Sequence, residues 1–175
     1  MKCLASKNKT EMQKIKNRVI DNSVKIYYIA TISVLVEKYG FGNEKMCKIL
    51  HYLEERAESI NYEYISIVEL EDVLKEEYDI CFSDCFEHTE YHSKGAVITN
   101  SSESATLRFF IVSVASILTD KFGIGKHKVT QIIKSIMCRA DDLLNNKISS
   151  SDIEKLLKDK YDIEMGLEFD KRKIM

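Results

Sequence analysis

The chain has 175 residues, of which 45% are hydrophobic and 31% are charged, and its formal net charge is −2. This composition is typical of a soluble protein, and the longest apolar stretches, 26–36 and 107–118, are too short to cross a bilayer. Residues 1–25 lack a signal-peptide core and the five cysteines lack a framework spacing, so we predict a cytoplasmic protein and exclude membrane-spanning and disulfide-stapled classes.

The chain contains an internal repeat, because residues 25–82 align without a gap on residues 108–165. The register is fixed by the identities Lys38/Lys121, Gly40/Gly123, Gly42/Gly125, Lys45/Lys128, Arg56/Arg139 and Ala57/Ala140. Two copies of one unit typically share a core or form a pseudo-twofold pair.

The first element of each copy is an apolar run that ends at a glycine pair. Residues 26–38 precede Gly40 and Gly42, and residues 109–121 precede the second pair. The β-branched content also fits a strand, but the length of the run and the glycine after it favour a helix. Because the runs are apolar nearly all round, we expect both helices to be central and buried.

The second and third elements complete each copy. Apolar residues recur at helical spacing over residues 43–60 and over their counterparts, which predicts an amphipathic helix. Ile65-Ser66 and Ile148-Ser149 open a shorter third helix, and we expect Tyr78-Asp79-Ile80 and its counterpart to form a short extended tail. The predicted fold class is all-α, with two tandem three-helix repeats packed as a pseudo-twofold helical bundle.

These elements divide the chain into five parts. The predicted division is a basic N-terminal arm at 1–24, helical repeat 1 at 25–82, a linker at 83–107, helical repeat 2 at 108–165 and a C-terminal tail at 166–175.

Charge is distributed unevenly along the chain. Residues 1–25 carry seven basic against two acidic side chains, whereas residues 54–90 carry thirteen acidic against two basic ones. One interpretation is a solvated acidic face beside a loose basic arm; the other is a surface that binds a partner of opposite charge. The acidic residues that we expect to bind a partner are Glu54, Glu55, Glu58, Glu69, Glu71, Asp72, Glu76 and Glu77.

The Gly-x-Gly corners and their lysines give an alternative site. Backbone N–H groups at a helix start bind anions, and a helix, a tight turn and a second helix outline a DNA-binding motif. The residues of this alternative are Lys45, Arg56, Lys126, His127, Lys128, Gln131, Lys134 and Arg139. In the simpler interpretation the glycines only permit the turn, and each arginine binds an acid of the third helix, such as Glu71 or Glu154.

A cysteine and histidine cluster is a weak metal candidate. Cys81, Cys85, His88 and His92 have zinc-ligand chemistry, but on a straight helix they would span about 16 Å, too far for one tetrahedral ion. We expect no metal and no other cofactor. No Ser/His/Asp or Cys/His grouping indicates catalysis, so we predict a protein without enzymatic activity.

The Gly-Phe-Gly-x-x-Lys corner at 40–45, the amphipathic helix after it and the Tyr-Asp-Ile ending resemble small helical accessory proteins of Firmicutes phages and mobile elements. The resemblance implies a non-enzymatic protein of the host cytoplasm that inhibits a host factor, most often in antiviral defence, as anti-CRISPR-like inhibitors do. The acidic face would then imitate nucleic acid toward a host protein such as a nucleic-acid-binding immune effector.

Two alternatives stay open at this point: a nucleic-acid-binding regulator that uses the basic arm and repeat 2, and capture of a small anionic ligand such as a nucleotide. The oligomeric state also stays open, with a homodimer as one alternative.

Overall fold

A computed structural model describes residues 23–82 and 97–163, and these residues form six helices and no strand. The helices are α1 (residues 23–39), α2 (Asn43–Asn61), α3 (Ile67–Tyr78), α4 (Val97–Asp120), α5 (Lys126–Leu144) and α6 (Ser150–Tyr161). The all-α prediction is confirmed, and both apolar runs are helical despite their β-branched residues.

Two local expectations differ from the structure. Helix α4 begins at Val97, so residues 97–107 of the expected linker are helical. The expected extended tails at Tyr78-Asp79-Ile80 and its counterpart are instead left-handed turns, in which Asp79 has φ 53° and closes α3, and Asp162 has φ 55° and closes α6. The basic arm up to residue 22, linker residues 83–96 and the tail from residue 164 lie outside the described residues.

Left-handed backbone closes the helices at corresponding positions of the alignment. Gly40 and Gly123 have φ 66° and 61°, and their N–H groups donate to carbonyls of the preceding helical turn. The turn after α2 has Glu63 at φ 57°, where the turn after α5 has Asn146 at φ 53°. Glycine and asparagine adopt this region readily, whereas a glutamate there is strained.

The core is built around α1 and α4. Residues 29–36 of α1 and residues 110–119 of α4 are all buried, as expected for helices apolar nearly all round. Helix α4 contacts α2, α3 and α5, so one core joins residues 23–82 to residues 97–163. Tyr27 and Phe110, which are equivalent in the alignment, meet with their ring centroids 6.0 Å apart.

Ion pairs between residues 23–82 and residues 97–163 recur at aligned positions with the partners exchanged. Arg139 Nη2 donates to Glu37 Oε2 at 3.0 Å, while Arg56 Nη2 lies 3.8 Å from Asp120 Oδ2 and donates to Ser116 Oγ at 3.0 Å. In the alignment Arg56 corresponds to Arg139, and Glu37 corresponds to Asp120. The two ion pairs therefore join aligned positions, although only Arg139 hydrogen-bonds the carboxylate directly.

Two more ion pairs join aligned positions with the partners exchanged. Arg108 donates through two nitrogens to the carboxylate of Glu71, and Lys25 Nζ lies 3.0 Å from Glu154 Oε1. The expectation that Arg56 and Arg139 bind Glu71 and Glu154 is thus wrong about the partners. The arginines reach the last turn of the central helix from the other part of the chain, and the third-helix acids are bound by Arg108 and Lys25.

Candidate interaction surface

The predicted acidic residues lie on α2 and α3, and most of them are exposed. Glu71 is the exception, because its carboxylate is half-buried in the ion pair with Arg108. The exposed members, which we call the acidic surface, are Glu54, Glu55, Glu58, Glu69, Asp72, Glu76 and Glu77.

Two members of the acidic surface have local partners. Glu55 Oε1 lies 3.3 Å from His51 Nε2. Glu69 forms a capping box at the start of α3: its N–H donates to Ser66 Oγ at 3.1 Å, and its carboxylate accepts from Ser66 N at 2.6 Å. Hydrogen bonds from the Ser66 backbone and then its side chain lower the pKa of Glu69, so this carboxylate helps to stabilise the helix.

The other five members bind no cation within the described residues: Glu54, Glu58, Asp72, Glu76 and Glu77. Burial and then the charge of nearby Glu54 raise the pKa of the half-buried Tyr28 to about 12. The acidic surface is therefore a source of negative potential that ion pairs within the described residues neutralise only in part.

The corresponding part of the alignment is balanced in charge. Helix α3 carries five acidic and one basic side chain, whereas α6 carries three of each. The last turn of α6 contains Lys158 and Lys160, which favour the negative end of the helix dipole. In the last turn of α3, Lys75 keeps the position of Lys158, but Glu77 stands where α6 has Lys160. Since both helices keep the same apolar stripe, the fold itself does not require the excess of acids.

An exposed tyrosine pair lies at the turn between α2 and α3. Tyr62 is 68% exposed and Tyr64 is 81% exposed, with their ring centroids 5.9 Å apart. The backbone beneath them is hydrogen-bonded, because Tyr62 N donates to Glu58 O and Tyr64 N donates to Ser59 O, both at 2.9 Å. We call Tyr62 and Tyr64 the tyrosine pair.

Sequence reasoning missed the tyrosine pair, although a signal was present. The aligned positions in the turn after α5 are Asn145 and Lys147, which are ordinary residues for an exposed turn. The aromatic side chains at these two positions are therefore not explained by packing within the described residues.

The alternative basic residues are only partly available for an anion. Arg56 and Arg139 have side chains only 18% and 16% exposed and are occupied by the ion pairs with Asp120 and Glu37. Lys126 forms an ion pair with Asp79. The amide Nε2 of Gln131 lies 3.0 Å from Nε2 of the His127 ring. Lys45 lies over the Phe41 ring at 5.4 Å, while Lys128 and Lys134 are exposed.

The metal candidate falls largely outside the described residues. Cys81 is exposed, and the other three members of the cluster lie in the range 83–96. Elsewhere in the described ranges, no group of three or more His, Cys, Asp or Glu side chains has a metal-binding arrangement.

No protein-family model, curated protein or solved structure matches this chain. The likeness to phage accessory proteins therefore stays a prediction. Within the residues that the structure describes, no helix combines the length and apolar character needed to cross a membrane.

Proposed function

We propose that the chain is a tandem pair of three-helix repeats, packed as a pseudo-twofold bundle. Three observations support this arrangement: matching helix ends, left-handed residues at aligned positions, and ion pairs that recur with exchanged partners. Exchange of partners is the property of an isologous contact, in which the same surface is used by both members.

We propose further that the protein is a non-enzymatic accessory protein that binds and inhibits a host protein through the acidic surface. The intended partner is a nucleic-acid-binding protein, as expected for an anti-defence inhibitor encoded by a phage. The observation that carries this proposal is the set of exposed carboxylates on α2 and α3 that have no cation within the described residues. A basic nucleic-acid channel of the partner would bind these carboxylates and release its own counterions.

Some of these acids stand at positions that are unfavourable for the isolated helix, which supports a binding role. Asp72 and Glu76 are four residues apart on one helix, and like charges at that spacing cost about 0.2–0.5 kcal/mol. Glu76 and Glu77 also oppose the dipole at the carboxyl end of α3. Residues that are unfavourable for the fold but harmless to solubility are typical of a surface used for recognition.

Charge reversal on α3 tests the proposal. We expect the variant Asp72→Lys/Glu76→Lys to lose capture of nucleic-acid-binding proteins from a nuclease-treated Firmicutes lysate, measured by quantitative mass spectrometry. Wild-type capture should weaken steeply as salt rises, because it depends on counterion release.

The matched control is Asp152→Lys/Asp159→Lys, which makes the same change in net charge on α6. This variant should capture the same proteins as the wild type. Equal capture by the α3 variant, or equal loss in both variants, would contradict a role for the acidic surface, provided that the helical circular dichroism signal is retained.

A nucleic-acid-binding regulator is the second candidate, because Lys128 and Lys134 are exposed on α5 and have no anionic partner within the described residues. A gel-shift titration at low and high salt separates the two functions. The second candidate requires DNA or RNA affinity that falls with salt and is lost in Lys128→Glu/Lys134→Glu, whereas the leading proposal requires no shift.

A further inference from the structure

The tyrosine pair is an exposed aromatic surface with a rigid base. The N–H groups of residues 62, 63 and 64 all donate to carbonyls of the last turns of α2, at 2.9–3.1 Å. Tyrosine has only two side-chain torsions, so a tyrosine on a fixed backbone loses little entropy when it binds.

The surroundings of the tyrosine pair are acidic. Glu58 precedes Tyr62 by four residues, which places both on one side of α2, and the exposed Glu63 separates the two tyrosines. Within the described residues 62–64 and the adjoining turn of α2, no basic side chain is present. Charge complementarity therefore favours an occupant with positive charge, and the exposed rings favour one with a flat surface.

We propose that the tyrosine pair binds arginine side chains of a basic partner protein and gives the acidic surface a preference for arginine over lysine. This inference rests on the proposed function and names the chemistry of its partner. A guanidinium is planar, stacks on aromatic rings and forms bidentate bonds with carboxylates, whereas the ammonium of lysine is a strongly hydrated point charge. Glu58 and Glu63 supply carboxylates beside the rings.

Nucleic acid does not fit this site as well as arginine does. Bases stack on tyrosines, but such sites combine the rings with cations that bind the phosphates. Here the neighbouring charged groups are carboxylates, which repel phosphates. The observations therefore favour a basic polypeptide, and single-stranded nucleic acid becomes an outcome that the experiment must exclude.

The test is a titration of the full-length protein with nona-arginine and nona-lysine peptides, which carry equal charge, at one ionic strength. We expect the wild type to bind nona-arginine about tenfold more tightly than nona-lysine, from about 0.5–1 kcal/mol per exposed cation–π contact plus bidentate bonding. In Tyr62→Ala/Tyr64→Ala the preference should fall to about twofold, because nona-arginine affinity falls more than nona-lysine affinity.

Two controls separate stacking from other effects. Tyr62→Phe/Tyr64→Phe keeps the rings and should keep the preference. Asn145→Ala/Lys147→Ala changes the two aligned positions of the other turn and should also leave it intact.

Each outcome has a defined meaning. A preference for arginine that survives in Tyr62→Ala/Tyr64→Ala assigns it to the carboxylates and overturns the inference while leaving the proposed function standing. Failure of the wild type to bind either peptide overturns the proposed function and, with it, the inference. Tyrosine-dependent binding of a single-stranded oligonucleotide, measured in parallel, also overturns the inference.

Discussion

Glu63 illustrates how one residue departs from what its backbone favours. It occupies the left-handed region at φ 57°, in a turn whose aligned counterpart has Asn146 at φ 53° with the same hydrogen bonds. A left-handed conformation costs an ordinary L-residue roughly 1–2 kcal/mol, and asparagine pays less because its short polar side chain bonds locally. Glu63 therefore makes this turn less stable than asparagine would, and it lies in sequence between the two residues of the tyrosine pair.

Exchanging the two turn residues measures this strain. We expect Glu63→Asn to raise the free energy of unfolding by about 0.5–1 kcal/mol and Asn146→Glu to lower it by a similar amount, measured by urea denaturation. Glu63→Gln removes the same charge without relieving the backbone and should change stability less. Equal effects of Glu63→Asn and Glu63→Gln would assign the gain to charge and contradict the strain.

At the scale of single elements, α3 and α6 share an apolar stripe but begin differently. Ser66 makes the full capping box with Glu69, whereas the Ser149 hydroxyl contacts the Ser151 hydroxyl at 2.6 Å and makes no cap hydrogen bond. The spacing Ser66-x-x-Glu69 is the usual signature of a capping box and could have been predicted from the sequence.

Alanine substitution at the two cap positions should therefore give different results. We expect Ser66→Ala to lower the free energy of unfolding by about 1 kcal/mol, because a first-turn N–H group loses its acceptor. Ser149→Ala is the matched control and should cost less than half as much. Equal losses in thermal or urea unfolding would show that the hydroxyl bonds of the capping box add nothing.

The sequence predicted helices better than it predicted contacts. Periodicity and the glycine pairs identified the six helices because those signals are local, and the length of the apolar runs decided against strands. The partners of Arg56 and Arg139 were missed, since they lie 64 and 102 positions away and their choice depends on how the two parts pack. Asp79 was missed because aspartate is a less common left-handed residue than glycine.

The candidate site was predicted only in part. The excess of acids on α2 and α3 is visible in the sequence, but exposure was needed to separate Glu71, which binds Arg108, from its neighbours. The tyrosine pair becomes visible only when the aligned positions Asn145 and Lys147 are known to be exposed turn residues.

At the scale of the whole molecule, residues 97–163 carry both members of each polar contact described above between them and residues 23–82. In the alignment Arg139 can replace Arg56, Glu154 can replace Glu71, and Tyr161 can replace Tyr78, which donates to Asp120 at 3.1 Å. Asp162 likewise corresponds to Asp79, the partner of Lys126.

We therefore predict that residues 97–163, produced alone, form a homodimer at micromolar concentration, as measured by light scattering after gel filtration. Asp120→Lys should dissociate this dimer, because it would lose the carboxylate that meets Arg139 at both equivalent contacts. A folded monomer of the fragment would contradict the proposed pseudo-twofold arrangement, since α4 would then have no partner segment to cover its apolar surface.

The burial of residues 110–119 of α4 also bears on how the chain acquires its fold during synthesis. Residues 23–82 leave the ribosome first, yet the rings and charges that cover α1 come from Phe110, Arg139 and Glu154. At about 5–20 residues per second, the nascent chain exposes the apolar surface of α1 for several seconds before α4 emerges. A chaperone that binds nascent chains can act during that interval. The acids of α2 and α3 help to keep residues 23–82 in solution until α4 emerges.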